Sequence, residues 1–171
     1  MKFNLNGKDF EESESDAMYN ELLSIVAPVS SDTKSQLITV FNYTQDARVR
    51  DKIALIFADL SDKELIPTLI KKINEIKNSK HISTLIYACS EYDCAEWIEF
   101  FVGIAIDLDD SSYLEAISVI EEMRSPIKLS DKVICVKRMT DYLSSLNDNK
   151  SEKYSDIERV LQLIEIMATT Y

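Results

Sequence analysis

Glycine and proline are scarce in this chain: two glycines (Gly7, Gly103) and three prolines (Pro28, Pro67, Pro126) in 171 residues. That scarcity argues against glycine-rich phosphate loops and flexible linkers, and it leaves little material for hairpins. Long apolar runs are missing too. The nearest, WIEFFVGIAI, is interrupted by Glu99 and stops well short of a membrane span. The N-terminal MKFNLNGKDFEESESD turns acidic early, with no apolar core leading to a small-residue cleavage site. Cys89, Cys94 and Cys135 cannot all pair, and their apolar, helix-like surroundings suit buried thiols in a reducing compartment. A cytoplasmic protein is the expectation.

Positive charge is absent from one long window. From His81 to Met123 there is no lysine or arginine, while Glu91, Asp93, Glu96, Glu99, Asp107, Asp109, Asp110, Glu115, Glu121 and Glu122 contribute ten of the eleven net negative charges. Soluble helices ordinarily interleave signs to gain i,i+4 pairs, and this block gives up that support. Counterion release on nucleic acid, or attraction to an anionic membrane, needs cations that this window lacks. A basic protein, in contrast, is steered toward it.

What is present is helical periodicity. In VRDKIALIFADLSDKELIPTLIKKI, Ile53, Ala54, Phe57 and Leu60 form one apolar stripe, and Ile66, Leu69, Ile70, Ile73 and Ile76 a second. Between them Ser61 and Glu64 have capping-box spacing. Pro67 then falls near the beginning of the second helix, where few carbonyls lose a partner, and a loose or 3₁₀ first turn is expected. Similar start signals occur at Ser30/Ser31, at Asp93 with Glu96, and at Ser130 with Asp131, while partner helices begin near Asp46, Ser79 and Ser111. One helix-sized block precedes these (Asp16 to Ala27) and one follows (Tyr154 to Ala168). Paired helices repeating about every 32 residues indicate an α-solenoid.

The segment ARVRDKIALIFADLSDKELIPTLIKKI resembles a HEAT repeat of the short, phycobilisome-lyase-like type. Val49, Arg50, Ala54, Leu60, Asp62, Ile66, Pro67, Leu69 and Ile70 stand where that pattern has its Val-Arg, small residue, turn acid, Ile-Pro and Leu-Ile. The unit from His81 to Asp107 keeps the apolar spacing but lacks the Arg and Pro, and the flanking units match in period alone. The resemblance implies an all-α, right-handed α-solenoid of about four HEAT-like helix pairs plus a terminal helix. One domain over residues 1–171 is expected, with residues 1–15 loose or capping the first pair. It also implies a bias toward protein binding, and a concave surface lined by the second helix of each pair. Some relatives of the short type assist pigment attachment or bind damaged DNA.

On that helix a wheel with Ile98, Phe101, Val102 and Ala105 inward turns Glu96, Glu99 and Gly103 outward, with Phe100 at the edge. Gly103 is then a bare backbone position open to close approach. Thr68, Lys71, Lys72 and Glu75 on the preceding second helix give a mixed, slightly basic surface, so the groove runs from basic to acidic. The partner-binding set expected from these arguments is Tyr92, Asp93, Glu96, Trp97, Glu99, Phe100, Asp107, Asp109, Asp110 and Tyr113. Trp97 and Phe100 have an alternative use as filling for a wide apolar arc.

Catalytic and metal chemistry is thinly represented. The single histidine, His81, reads as a surface residue in a first helical turn, and Cys89 with Cys94 lacks the second pair of a structural zinc site. DLDDSSYLE has oxygens at the first, third and fifth positions of a calcium loop, but Ser112 replaces the turn glycine and Ser118 the bidentate glutamate. Ser112 with Glu115 explains that segment as a helix start. Helix-surface acids such as Glu121 and Glu122 lack the desolvating cleft that acid–base catalysis needs.

The expected function is therefore non-catalytic, with no cofactor or metal. It is a binding protein for a basic protein partner, most concretely a bacterial immunity protein that blocks a toxin. A general scaffold or adaptor, and an accessory factor to a prosthetic-group enzyme, are the alternatives.

Overall fold

The computed structural model describes residues 1–77, 82–108, 111–146 and 150–169, and the side chains of all of these except 150–155. Ser79, His81, Asp109 and Asp110 lie outside the described residues. The described chain is mostly α-helical and divides into two compact units, Met1–Tyr92 and Asp93–Tyr171.

The first unit opens with a β-hairpin, although the overall glycine count argues against one. Strands β1 (Lys2–Leu5) and β2 (Lys8–Glu11) pair antiparallel, Phe3 opposite Phe10. Asn6 and Gly7 form the two-residue turn with φ of 52° and 76°, the left-handed pair that a tight hairpin demands. A single Asn-Gly between alternating apolar residues is enough for this, whatever the composition elsewhere. Phe3, Leu5 and Phe10 are buried, and the hairpin lies on α1 (Ser15–Leu22) and α2 (Ser31–Tyr43). The Asn6 N–H donates to Gln36 Oε1 of α2 at 3.0 Å.

Helices α3 (Ala47–Leu60), α4 (Ile66–Ile76) and α5 (Ser83–Ser90) complete the unit. Within it α3 packs against α1, α2 and α5, while α4 packs against α2 and α5. The Phe41 and Phe57 rings meet with centroids 5.2 Å apart in the core between α2 and α3. Lys72 of α4 is buried, and its ammonium donates to the Asn42 carbonyl at 2.6 Å near the end of α2.

The helix starts follow local chemistry. Ser30 accepts the Thr33 N–H, and Asp46 accepts those of Arg48 and Val49, each as an N-cap. Pro67 sits in the first turn of α4, directly after a 3₁₀ turn over Lys63–Leu65, as its tolerance requires. The cap there is Asp62, not Ser61. Ser61 instead ends α3 in the left-handed region at φ 49°, and Asp62 accepts the Glu64 N–H.

The second unit contains a 3₁₀ turn (Ala95–Trp97) leading into α6 (Ile98–Asp107), then α7 (Ser112–Glu121), α8 (Leu129–Ser145) and α9 (Lys150–Thr169). The expected start at Ser130 is displaced, because α8 already runs from Leu129. Helix α6 packs against α7, α8 and α9, and α9 also touches α7 and α8. Among the described residues no helix is long and apolar enough to cross a membrane. Cys89, Cys94 and Cys135 are buried and form no disulfide.

Candidate acidic interaction surface

Helix α6 is apolar nearly all the way round, and a helix of that kind must be covered on several sides. Phe101 through Ile106 are all buried, which leaves the charges at its two ends. Glu96 and Glu99 lie exposed at the N-terminal end, where the helix dipole favours them. Asp107 lies exposed at the C-terminal end, where it does not.

Two arginines from later helices repair that end. Arg138 of α8 reaches the Asp107 carboxylate at 2.6 Å. The buried Arg159 of α9 donates to the Leu108 carbonyl at 3.0 Å and to the Ala105 carbonyl at 3.4 Å. Its guanidinium also stacks 4.1 Å from the centre of the Tyr113 ring. Tyr113, half-buried, thus packs under a cation of its own chain.

Gly103 departs from the expectation of an open backbone position. It is buried, and a Cβ placed there would come within 2.5 Å of Arg138 Nη1. The close approach for which a glycine is needed is made by this chain's own guanidinium. A gap of cations along the sequence is not a gap in space, since α8 and α9 return arginines to α6 from outside the window. The position of Gly103 within a helix was the one available signal of a close neighbour, and it did not say which.

The remaining expected residues fall into three environments. Tyr92 is buried in the first unit, where its hydroxyl donates to the Phe57 carbonyl. Asp93 is half-buried and accepts the N–H groups of Ala95 at 3.4 Å and Arg124 at 3.3 Å, together with the Ser125 hydroxyl. Burial alone raises its pKa, but the Ser125 hydroxyl and these backbone donors outweigh it and hold the carboxyl below its usual range. Asp93 thus fastens the start of the 3₁₀ turn to the segment after α7. Trp97 and Phe100 are half-buried, and the Phe100 ring stands edge-on to Phe101 with centroids 5.3 Å apart.

What remains outward is a set of carboxylates. Glu96, Glu99, Glu121 and Glu122 are exposed and Glu115 half-exposed, and among the described residues no cation lies within ion-pair distance of any of them. Glu121 and Glu122 occupy the C-terminal end of α7, whose last turn holds no basic residue, so they face the unfavourable end of that dipole. Beneath the surface, Cys135 is surrounded by the same field. Burial, then Glu99 and Asp131, push its thiol up to about 11. Among the described residues no three His, Cys, Asp or Glu side chains converge as a metal site would need. Exposed carboxylates of this kind attract cations, and chemistry needing a desolvated acid has no such group among them. No family model matches the chain, and neither a curated protein nor a solved structure matches it.

Proposed function

We propose that this chain is a non-catalytic protein-binding module that engages a basic protein through the carboxylates of its second unit. Its most concrete form is a bacterial cytoplasmic immunity protein that holds a basic toxin domain. The observation that carries the reading is the group Glu96, Glu99, Glu115, Glu121 and Glu122, outward and without ion-pair partners among the described residues. Asp93–Tyr171 holds sixteen acidic against eight basic residues, a net of −8, whereas Met1–Tyr92 carries only −3. A field concentrated in this way raises the encounter rate with a basic partner and repels nucleic acid. Leaving acids at the C-terminal end of α7 costs stability, which a cation brought by a partner returns.

A right-handed solenoid of HEAT-like pairs is the architecture proposed with this function. Within the first unit it is supported by the packing of α3 on both α1 and α5, and of α4 on α2. In the second unit the surface is drawn by the exposed residues named above. Asp93 and Tyr92 serve structural contacts beside it.

The test is kinetic. A basic partner captured on the immobilised full chain from source lysate is purified, and its association is followed by stopped flow at several salt concentrations. The quadruple variant E96Q/E99Q/E121Q/E122Q is expected to associate about tenfold more slowly at low salt, with a flatter salt dependence. Equal on-rates for wild type and variant reject this surface, and capture of acidic proteins only rejects a basic partner.

A further inference from the structure

Helices α8 and α9 leave unusual apolar surface in the open. On α8, Leu129, Val133 and Val136 are 78%, 60% and 45% exposed, and on α9, Leu161 and Ile164 are 56% and 39% exposed. Their spacings, i, i+4, i+7 on α8 and i, i+3 on α9, place each set on one helix face. The two faces adjoin. Lys132 of α8 donates to the Met167 carbonyl of α9 at 3.1 Å, so the helices lie side by side with α8 turned toward α9 at Lys132. Val136 and Leu129 come next around α8 beyond Lys132. On α9 the buried Val160 and Met167 are followed in the same rotational sense by Ile164 and then Leu161. The opposite flank of α9 is spent on α7, where Arg159 covers Tyr113. The two stripes therefore flank one shallow outer groove.

We propose that this groove is a self-association surface whose occupant is the same groove of a second copy, giving a four-helix contact about a two-fold axis along the hairpin. The charges at its edges argue for that occupant. Lys137 borders the α8 stripe, while Glu158 and Glu165 border the α9 stripe, and all three are exposed. The Lys132–Met167 contact sets Lys137 level with Gln162, between the two glutamates. A dyad along the hairpin lays each α8 antiparallel on the partner's α9, which brings Lys137 between Glu158 and Glu165 of the other copy. The face has the right extent for a weak, specific dimer. A hairpin about 25 Å long and about 20 Å wide offers about 500 Å² per copy, near the lower edge of specific interfaces. The glutamates of the proposed function on α6 and α7 stay outside it.

Sedimentation velocity on the full chain tests this. As concentration rises to about 200 µM, the wild-type mass is expected to climb from 19.6 kDa toward twice that value, and to do so equally in about 0.5 M salt. Salt of that strength suppresses the acidic-surface interaction, so the two readings fail separately. V133E/L161E is expected to weaken the dimer at least about tenfold while its far-UV circular dichroism stays unchanged, because both side chains are exposed. K137E alone is expected to weaken it, and K137E/E158K/E165K to restore it. A wild type that stays monomeric throughout, a V133E/L161E dimer as strong as wild type, or a charge swap that restores nothing overturns the proposal. So does a monomer whose groove mutations abolish binding of the basic partner, since the groove then belongs to that partner.

Discussion

Asp46 shows how much one side chain contributes to the first unit. It accepts the Arg48 N–H at 2.8 Å and the Val49 N–H at 3.2 Å, and the Arg48 guanidinium lies 3.0 Å away. The Arg48 contact, aided by those N–H groups and opposed by burial, holds its carboxyl below the usual range. Since the folded pKa is depressed, the stabilisation is complete above about pH 4 and is lost as pH falls through the lower folded value. D46A is expected to cost about 1 kcal/mol in urea melts at neutral pH, shrinking toward zero below about pH 3. Cys135 gives a second residue-scale prediction. With its thiol raised to about 11 by burial, Glu99 and Asp131, maleimide labelling at neutral pH should be slow in the native protein and fast in urea. Rapid native labelling contradicts the environment described for it.

Among the elements, α6 and α8 are joined at Gly103, and magnitudes decide what a methyl group there does. Alanine gains about 1 kcal/mol of helix propensity over glycine, while the displaced Arg138–Asp107 pair, largely exposed, is worth at most about 1 kcal/mol. G103A is therefore expected to be near neutral in wild type and stabilising in an R138A background. Thermal melts of the four-member cycle measure that difference, and equal effects in both backgrounds exclude the Arg138 contact. The helices themselves were legible in the sequence, since the Ser30 and Asp46 caps, the 3₁₀ turn before Pro67 and the terminal helix all follow from local spacing. The hairpin was hidden only by counting glycines in bulk, because Asn6-Gly7 carries the turn alone. Ser61 and Asp62 show the usual one-residue slip, both being polar and only one having a positive φ. The site was half legible. Residue type gave the acids, but which of them keep a cation nearby depends on Arg138 and Arg159, more than thirty residues away in the chain.

For the molecule as a whole, the asymmetry of −3 against −8 between the two units governs behaviour in salt. Outward carboxylates that repel one another lower stability while they attract a partner. E96Q/E99Q/E121Q/E122Q should therefore match or slightly exceed the wild-type melting temperature at low salt, with the gap closing as salt is added. A clear fall in melting temperature would mean that these glutamates hold the fold together instead of facing outward. Stability and association then move in opposite directions in one variant, which separates a working surface from a structural one.

The guanidinium that closes α6 belongs to a residue made late. During synthesis, the carbonyls of Ala105 and Leu108 have left the ribosome well before Arg159 does, so the central helix of the second unit waits for the last one. Residues 1–92 carry their own core and can mature on the nascent chain. Release after residue 146 is accordingly expected to yield a protein whose first half resists protease and whose second half is digested. Full-length chain should resist in both halves, and a truncated second half that survives would show that α6 needs no late clasp.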